Sequence, residues 1–194
     1  MTTQSTVTRA ASHSAQTGAA RTNSATAISL AVLRVSMGFV FLWAFLDKAF
    51  GLHYSTPSSK AWIHGGSPTK GFLTSVDVGP LQSWFHSIAG TWWADWLFML
   101  GLLGVGLTLI LGVLMYAGTA AGVLLLGLMW LAEFPLTQHT SAGVASGSTN
   151  PFADYHYIYS LVLVVLALTG AAQTWGLGRM WAAQPVIRRH PWLR

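Results

Sequence analysis

Only ten Lys/Arg and five Asp/Glu occur among 194 residues, and the few that sit beside apolar runs are the groups able to do chemistry. Lys48, next to Asp47, ends a run that begins near Ile28; its amine can bind an oxyanion or donate a hydrogen bond to a carbonyl. Ordinary snorkelling of a helix-end lysine, with Asp47 neutralising it, accounts for the same residues. Glu133 closes another apolar run, where a carboxyl can carry a proton, cap the helix or pair with Lys48. Asp154 and His156 flank Tyr155 just before a further run; His156 can relay a proton near neutral pH, and Asp154 can serve instead as a helix N-cap. One histidine with one carboxylate does not define a metal site, and none is expected. Nothing in the spacing of His139 and His156 recommends a paired-histidine haem. Trp62, His64 and the turn Gly65-Gly66-Ser67-Pro68-Thr69-Lys70 can form a backbone N–H concavity for an anion, or a turn that supports its surroundings. The turn lacks the glycine and lysine order of a P-loop.

The elements that must position these groups are membrane helices. The chain is 53% hydrophobic and 8% charged, against about 25% charged in a soluble domain. Its mean hydropathy is +0.51 and its pI about 10.0, but the basic residues are not clustered with interleaved aromatics, so nucleic acid is not an expected partner. With no cysteine, disulfides, thiolate metal sites, iron–sulfur clusters and thiol intermediates are excluded on this chain.

Arg34, Gly38, Phe41, Phe45 and Lys48 follow at steps of four, three, four and three, which places them on one face of a helix. Fourteen steps at about 1.5 Å separate Arg34 from Lys48 by roughly 21 Å, so they lie near opposite membrane surfaces. Arg34 snorkels or ties helices together. Residues 1–27 read as a disordered tail, rich in Ser, Thr and Ala. Residues 51–93 are too polar to span and too aromatic for a free loop; Leu81, Trp84, Phe85 and Ile88 predict a short interfacial helix after Pro80, within a cap. Ala94 to Leu111 and Val113 to Leu131 predict a tight hairpin turning at Gly112, with Gly101, Gly104, Gly106 and the Gly118 to Gly122 motif serving close packing. The fourth run is Tyr157 to Ala172, and a basic tail occupies residues 183–194. The expectation is an all-α membrane protein: a four-helix transmembrane bundle over residues 28–182, with an extracytoplasmic cap between helices one and two. Six arginines lie with the tails (Arg9, Arg21, Arg179, Arg188, Arg189, Arg194) against three lysines in the first loop, which predicts cytoplasmic termini.

The Arg34/Gly38/Phe41/Lys48 helix, the Ala61 to Phe72 segment, Asn150-Pro151 with Asp154 and His156, and Gly176-Leu177-Gly178-Arg179 together resemble the DoxX/DoxD family of small four-helix membrane proteins. The resemblance spans roughly residues 28–181 and lies in the ordered combination rather than in one motif. Ala44, Phe45 and Asp47 stand where much of the DoxX branch has a His-Gly step before the helix lysine, which leans the chain towards DoxD. That branch implies the membrane subunit of a thiosulfate:quinone oxidoreductase in the bacterial plasma membrane. Electrons would pass from thiosulfate or a related sulfur compound to membrane quinone, with a small second subunit as partner. Quinone is the implied electron acceptor. It would enter from lipid between helices one, three and four, with Lys48, Glu133, Asp154 and His156 around its head group. Glu133, Asp154 and His156 are then the expected catalytic residues, and Lys48, Trp62, His64, Lys70 and Asn150 the expected substrate- or quinone-binding ones. The alternative is a non-enzymatic scaffold that anchors a soluble redox or stress-defence protein.

Overall fold

Helix α1 runs from Thr3 to Phe50, and its apolar part, Ser24–Phe50, has a mean hydropathy of 1.9 over 27 residues. The computed structural model describes residues 3–193, with side chains over residues 24–193 except Pro191; most of the tail expected over residues 1–27 falls outside that side-chain description. The chain then passes through two single-turn helices (Ser58–Lys60 and Trp62–His64), α2 (Lys70–Thr74), α3 (Gln82–Ile88), α4 (Trp92–Leu111), α5 (Met115–Glu133), α6 (Tyr155–Leu168), α7 (Gly178–Ala183) and α8 (Pro185–Arg189). No strand occurs among the described residues. Three helices, Ser24–Phe50, α4 and α5, are long and apolar enough to cross a bilayer: 19 residues or more reach about 28 Å, close to the hydrocarbon thickness. This is an all-α, multi-pass membrane protein.

The helices pack as a ring in which α1 touches α4, α4 touches α5, α5 touches α6, and α6 returns to α1. Met37 and Phe41, Met99, Leu102 and Leu109, Leu126, and Leu163 and Leu166 fill its centre, one or more from each helix. Lipid offers no hydrophobic drive for helix association, so backbone approach at small residues matters more. A Cβ on Gly106 would come within 2.8 Å of the Leu42 amide nitrogen, and one on Gly122 within 2.6 Å of Leu163. Gly118 closes on Thr108, whereas Gly104 faces open space, so only part of the glycine pattern serves packing. Gly38 lies against Ile110 and lets α1 approach the last turn of α4.

Gly112 turns the hairpin in the left-handed region at φ 71°, its N–H donating to Thr108 O at 2.9 Å. The fourth helix begins and ends earlier than its expected Tyr157 to Ala172. Asp154 caps it at the start, and Gly170 at φ 66° turns the chain after Leu168. Its 14 residues cover about 21 Å.

The end marked by Lys48 gathers the C-termini of α1 and α5 and the N-termini of α4 and α6. Phe85 of α3 is buried there with Leu73, Val76 and Ala132, while Trp84 is exposed. Asp95, in the first turn of α4, holds this layer down. Its Oδ1 accepts from Ser67 Oγ at 2.9 Å, Thr69 N at 3.0 Å and Thr69 Oγ1 at 2.6 Å, and its charge suits a helix N-terminus. Asp77 accepts from Ser141 N at 2.6 Å and from the Ser141 hydroxyl, joining the first loop to the third; the Ser141 hydroxyl holds this carboxyl below its ordinary range. Removing the Asp95 carboxylate leaves buried donors unpaired, at about 1–3 kcal/mol. Asp95→Ala is therefore expected to lower thermal stability in detergent and to speed proteolysis within residues 51–91; unchanged cleavage there would show that the layer is held by its apolar contacts alone.

Candidate functional site

Three residues expected to be catalytic meet at the Lys48 end. Helix α5 stops at Glu133 because Phe134 adopts φ 41° and Pro135 follows. Asn150 Oδ1 accepts from the Phe152 and Ala153 amides, each at 2.9 Å, in a local turn that delivers Asp154 to the head of α6. Asp154 Oδ1 then caps α6 by accepting from Tyr157 N at 3.0 Å, and Oδ2 accepts from His156 Nδ1 at 2.7 Å. Tyr155 OH donates to Glu133 Oε1 at 2.9 Å, and its ring lies over the imidazole with centroids 3.9 Å apart. Glu133 Oε2 stands 3.9 Å from His156 Nδ1.

The environment of these groups is uneven. Glu133 is 37% exposed, Asp154 15% and His156 1%. Nδ1 is directed to Asp154, and Nε2 is buried without a partner. No Lys or Arg forms an ion pair with Glu133 or Asp154 among the described residues. The pairing of Glu133 with Lys48 considered from the sequence is therefore not formed.

Lys48 belongs to a different feature. A cavity of about 580 Å³ lies between α4, α5 and the layer of α2 and α3, lined by Phe72, Trp84, Trp93, Phe98, Leu125 and Met129 among others. Among the described residues Lys48 is its only charged lining residue, and Thr69 and the indole N–H groups of Trp84 and Trp93 are its other polar side-chain groups. Lining residues Leu97, Leu100 and Leu124 are exposed on the outer faces of α4 and α5, so the cavity opens sideways, where lipid would be. This cavity lies between the second and third spanning helices, not between the first, third and fourth where quinone was expected to enter. Of the four residues expected around a head group, Lys48 alone lines the cavity. Its ammonium makes one long contact, 3.4 Å to Ser55 Oγ. Asp47 is buried and its carboxylate is occupied by Tyr54 N at 3.1 Å, Ser55 N at 3.0 Å and Ser55 Oγ at 2.6 Å, which fixes the turn after α1.

The remaining expected residues are dispersed. Trp62 packs edge-on against Trp96 at 4.7 Å. His64 is exposed with Nδ1 at 2.9 Å from Ser58 O, and Lys70 is exposed at the start of α2. The donors of the Gly65 to Lys70 turn that could have met an external anion, Thr69 N and two hydroxyls, go to Asp95. Asn150 acts through the turn before Asp154. His139 is exposed and bridges to Ala145. Asp95 was missed by sequence reasoning, although a carboxylate in the first turn of an apolar helix, downstream of a Ser/Thr turn, was a signal for it. The Tyr155–Glu133 bond had no signal, since it depends on how α5 and α6 are set against each other.

Arg34 marks the opposite end. It is fully buried, and its guanidinium donates to Leu109 O, to Ile110 O at 2.9 Å, to Thr174 O at 3.1 Å and to Trp175 O at 2.8 Å.

The chain matches no protein-family model, no characterised protein and no solved structure.

Proposed function

We propose that this protein is the membrane subunit of a quinone-linked oxidoreductase of the bacterial plasma membrane, with the Lys48 end outward and both termini in the cytoplasm. The observation that carries this reading is the sideways-opening apolar cavity with a single ammonium in its wall. Its volume lies within the 300–1,000 Å³ or so typical of small-molecule sites. A quinone ring would be held by the aromatic and aliphatic lining, with one carbonyl accepting from Lys48 Nζ.

Four crossings are favoured because the fourth segment travels the length of the bundle: Asp154 sits beside Glu133, while Thr174 and Trp175 reach Arg34, roughly 21 Å from Lys48 along α1. The loops and α3 beyond Phe50 then form the extracytoplasmic cap, and the arginines of both tails collect on the cytoplasmic side.

Reduction of quinone to quinol consumes two electrons and two protons. Glu133 is one turn of α5 beyond Met129 of the cavity wall, and with Tyr155, His156 and Asp154 it would exchange protons with the outer surface. The resemblance to DoxX/DoxD proteins supports thiosulfate or a related sulfur compound as electron donor. Lacking cysteine, this chain would take those electrons through a second subunit or directly from donor to quinone.

Two measurements test this. Protein purified in mild detergent is expected to carry quinone, read by absorption and mass spectrometry. Membranes containing the chain with its co-purifying subunit are expected to reduce quinone in a thiosulfate-dependent way. Quinone-free protein together with unchanged rates would reject the reading, and a tightly held soluble partner in that case would favour the scaffold.

A further inference from the structure

We propose that Glu133, Asp154 and His156 form a binding site for a first-row divalent cation, of which Zn²⁺ is the one best suited. The site uses the three residues assigned above to proton exchange, but its geometry does not depend on what the Lys48 cavity binds.

One ligand atom from each of the three residues lies within 4.8 Å of the others, at the mouth formed by the end of α5 and the start of α6. Zinc held tetrahedrally at 2.0–2.1 Å places neighbouring ligand atoms about 3.3 Å apart. The two distances from His156 Nδ1 bracket that figure, 2.7 Å to Asp154 Oδ2 and 3.9 Å to Glu133 Oε2. Small rotations of two side chains bring both to it. A cation would take the place of the proton now held between Nδ1 and Oδ2, with the neutral imidazole then carrying its proton on Nε2.

The surroundings are arranged as they are around metal ligands, where outer partners fix the orientation of inner ones. Asp154 Oδ1 is held by Tyr157 N, which leaves Oδ2 to the cation. Glu133 Oε1 is held by Tyr155 OH, which leaves Oε2. Asn150 fixes the turn that presents Asp154. The imidazole is set into the same cluster: His156 is 99% buried, its Nδ1 faces both carboxylates, and its Nε2, on the far side of the ring, has no partner. Two carboxylates with no Lys or Arg ion pair leave negative charge that a dication would neutralise at a low-dielectric boundary. Glu133, the most exposed of the three, gives access from the aqueous side and leaves the fourth position to water.

The donor set selects the ion. An imidazole nitrogen with two carboxylate oxygens suits Zn²⁺ or Co²⁺ better than Mg²⁺ or Ca²⁺, which prefer oxygen alone.

The experiment uses the full chain in mild detergent, stripped with chelator and titrated with ZnCl₂ by calorimetry and with CoCl₂ by visible absorption. The expected result is one zinc per chain and a Co²⁺ absorption band characteristic of low-symmetry N/O coordination. Glu133→Gln and Asp154→Asn should each weaken zinc at least tenfold and remove the cobalt band, with size-exclusion profile and circular dichroism unchanged; Asn preserves the cap of α6. Absence of zinc binding at micromolar concentration, or equal affinity and an intact cobalt band in both variants, overturns the proposal. Zinc binding by quinone-free protein would leave the site standing while the oxidoreductase reading fell, and quinone-loaded protein without zinc binding would do the reverse.

Discussion

Arg34→Met is expected to yield little or no monodisperse protein. Where folded protein is recovered, stability in detergent should fall by about 3–5 kcal/mol, as when one partner of a buried charged contact is removed. The guanidinium ties three pieces of chain at one point: α1, which carries it, the last turn of α4 through the Leu109 and Ile110 carbonyls, and the 174–175 turn through two more. The α4 carbonyls are the ones a helix C-terminus leaves without intrahelical partners, and the cation also meets the negative end of the helix dipole. Methionine keeps most of the volume but leaves four carbonyl groups, in a buried to part-buried setting, without these donors. Each such loss is on the order of 1–3 kcal/mol before relaxation. Arg34→Lys should fall between, since a compact ammonium cannot reproduce a planar fork that reaches both carbonyl pairs. Thermal unfolding followed by circular dichroism reads all three proteins. Equal stability of Arg34→Met and wild type would remove Arg34 from the architecture and make it a ligand-binding candidate.

The same residue shows how far the sequence could be read. Its place on a helix face with Gly38 and Phe41, a bilayer half away from Lys48, follows from spacing alone, and all of these residues except partly buried Lys48 and Phe45 are buried or closely packed. Its partners do not follow, because backbone carbonyls carry no sequence signature. Convergence of Glu133, Asp154 and His156 followed from the alternation of helices, since the end of the third and the start of the fourth must share a side. The separation of Lys48 from that trio could not be read in the same way. Helices that are apolar all round do not disclose which face meets lipid, so the order of helices around the ring, and the side on which a cavity opens, had no signal. The turn from Gly65 to Lys70 has the donors of an anion-binding loop, and it does bind a carboxylate, but the carboxylate is the protein's own Asp95. Spacing of donors identifies the chemistry they favour; only the fold decides whether an internal group already occupies it. The fourth helix illustrates a smaller difference. Gly170 reads as one more small residue in an apolar run, but its left-handed backbone follows the end of the helix and precedes the turn in which the Thr174 and Trp175 carbonyls accept from Arg34.

Lys48→Met is expected to leave the fold intact and remove quinone. The side chain contributes little to stability: its one hydrogen bond, to Ser55 Oγ, is 3.4 Å long, and Asp47 is satisfied by the 54–55 turn without it. Methionine has similar length and suits an apolar wall, so a stability change within about 1 kcal/mol is expected, in the range of an exposed ion contact. The effect on binding should be far larger. A hydrogen bond from an ammonium to a carbonyl is worth about 1.5–3 kcal/mol, which corresponds to roughly a 10- to 150-fold loss of affinity. The KM for quinone should rise by that factor, with quinone largely absent from protein purified through the same detergent steps. Lys48→Arg should keep part of the affinity, because the charge remains while its position shifts along the cavity wall. Ordinary snorkelling makes the opposite prediction: an anchoring lysine can become methionine with unchanged KM and quinone content, and Arg should replace it fully. The two roles are therefore separated by binding, not by stability. A Lys48→Met protein that retains quinone at the wild-type level would leave the cavity as a lipid-facing recess and withdraw the observation on which the oxidoreductase reading rests.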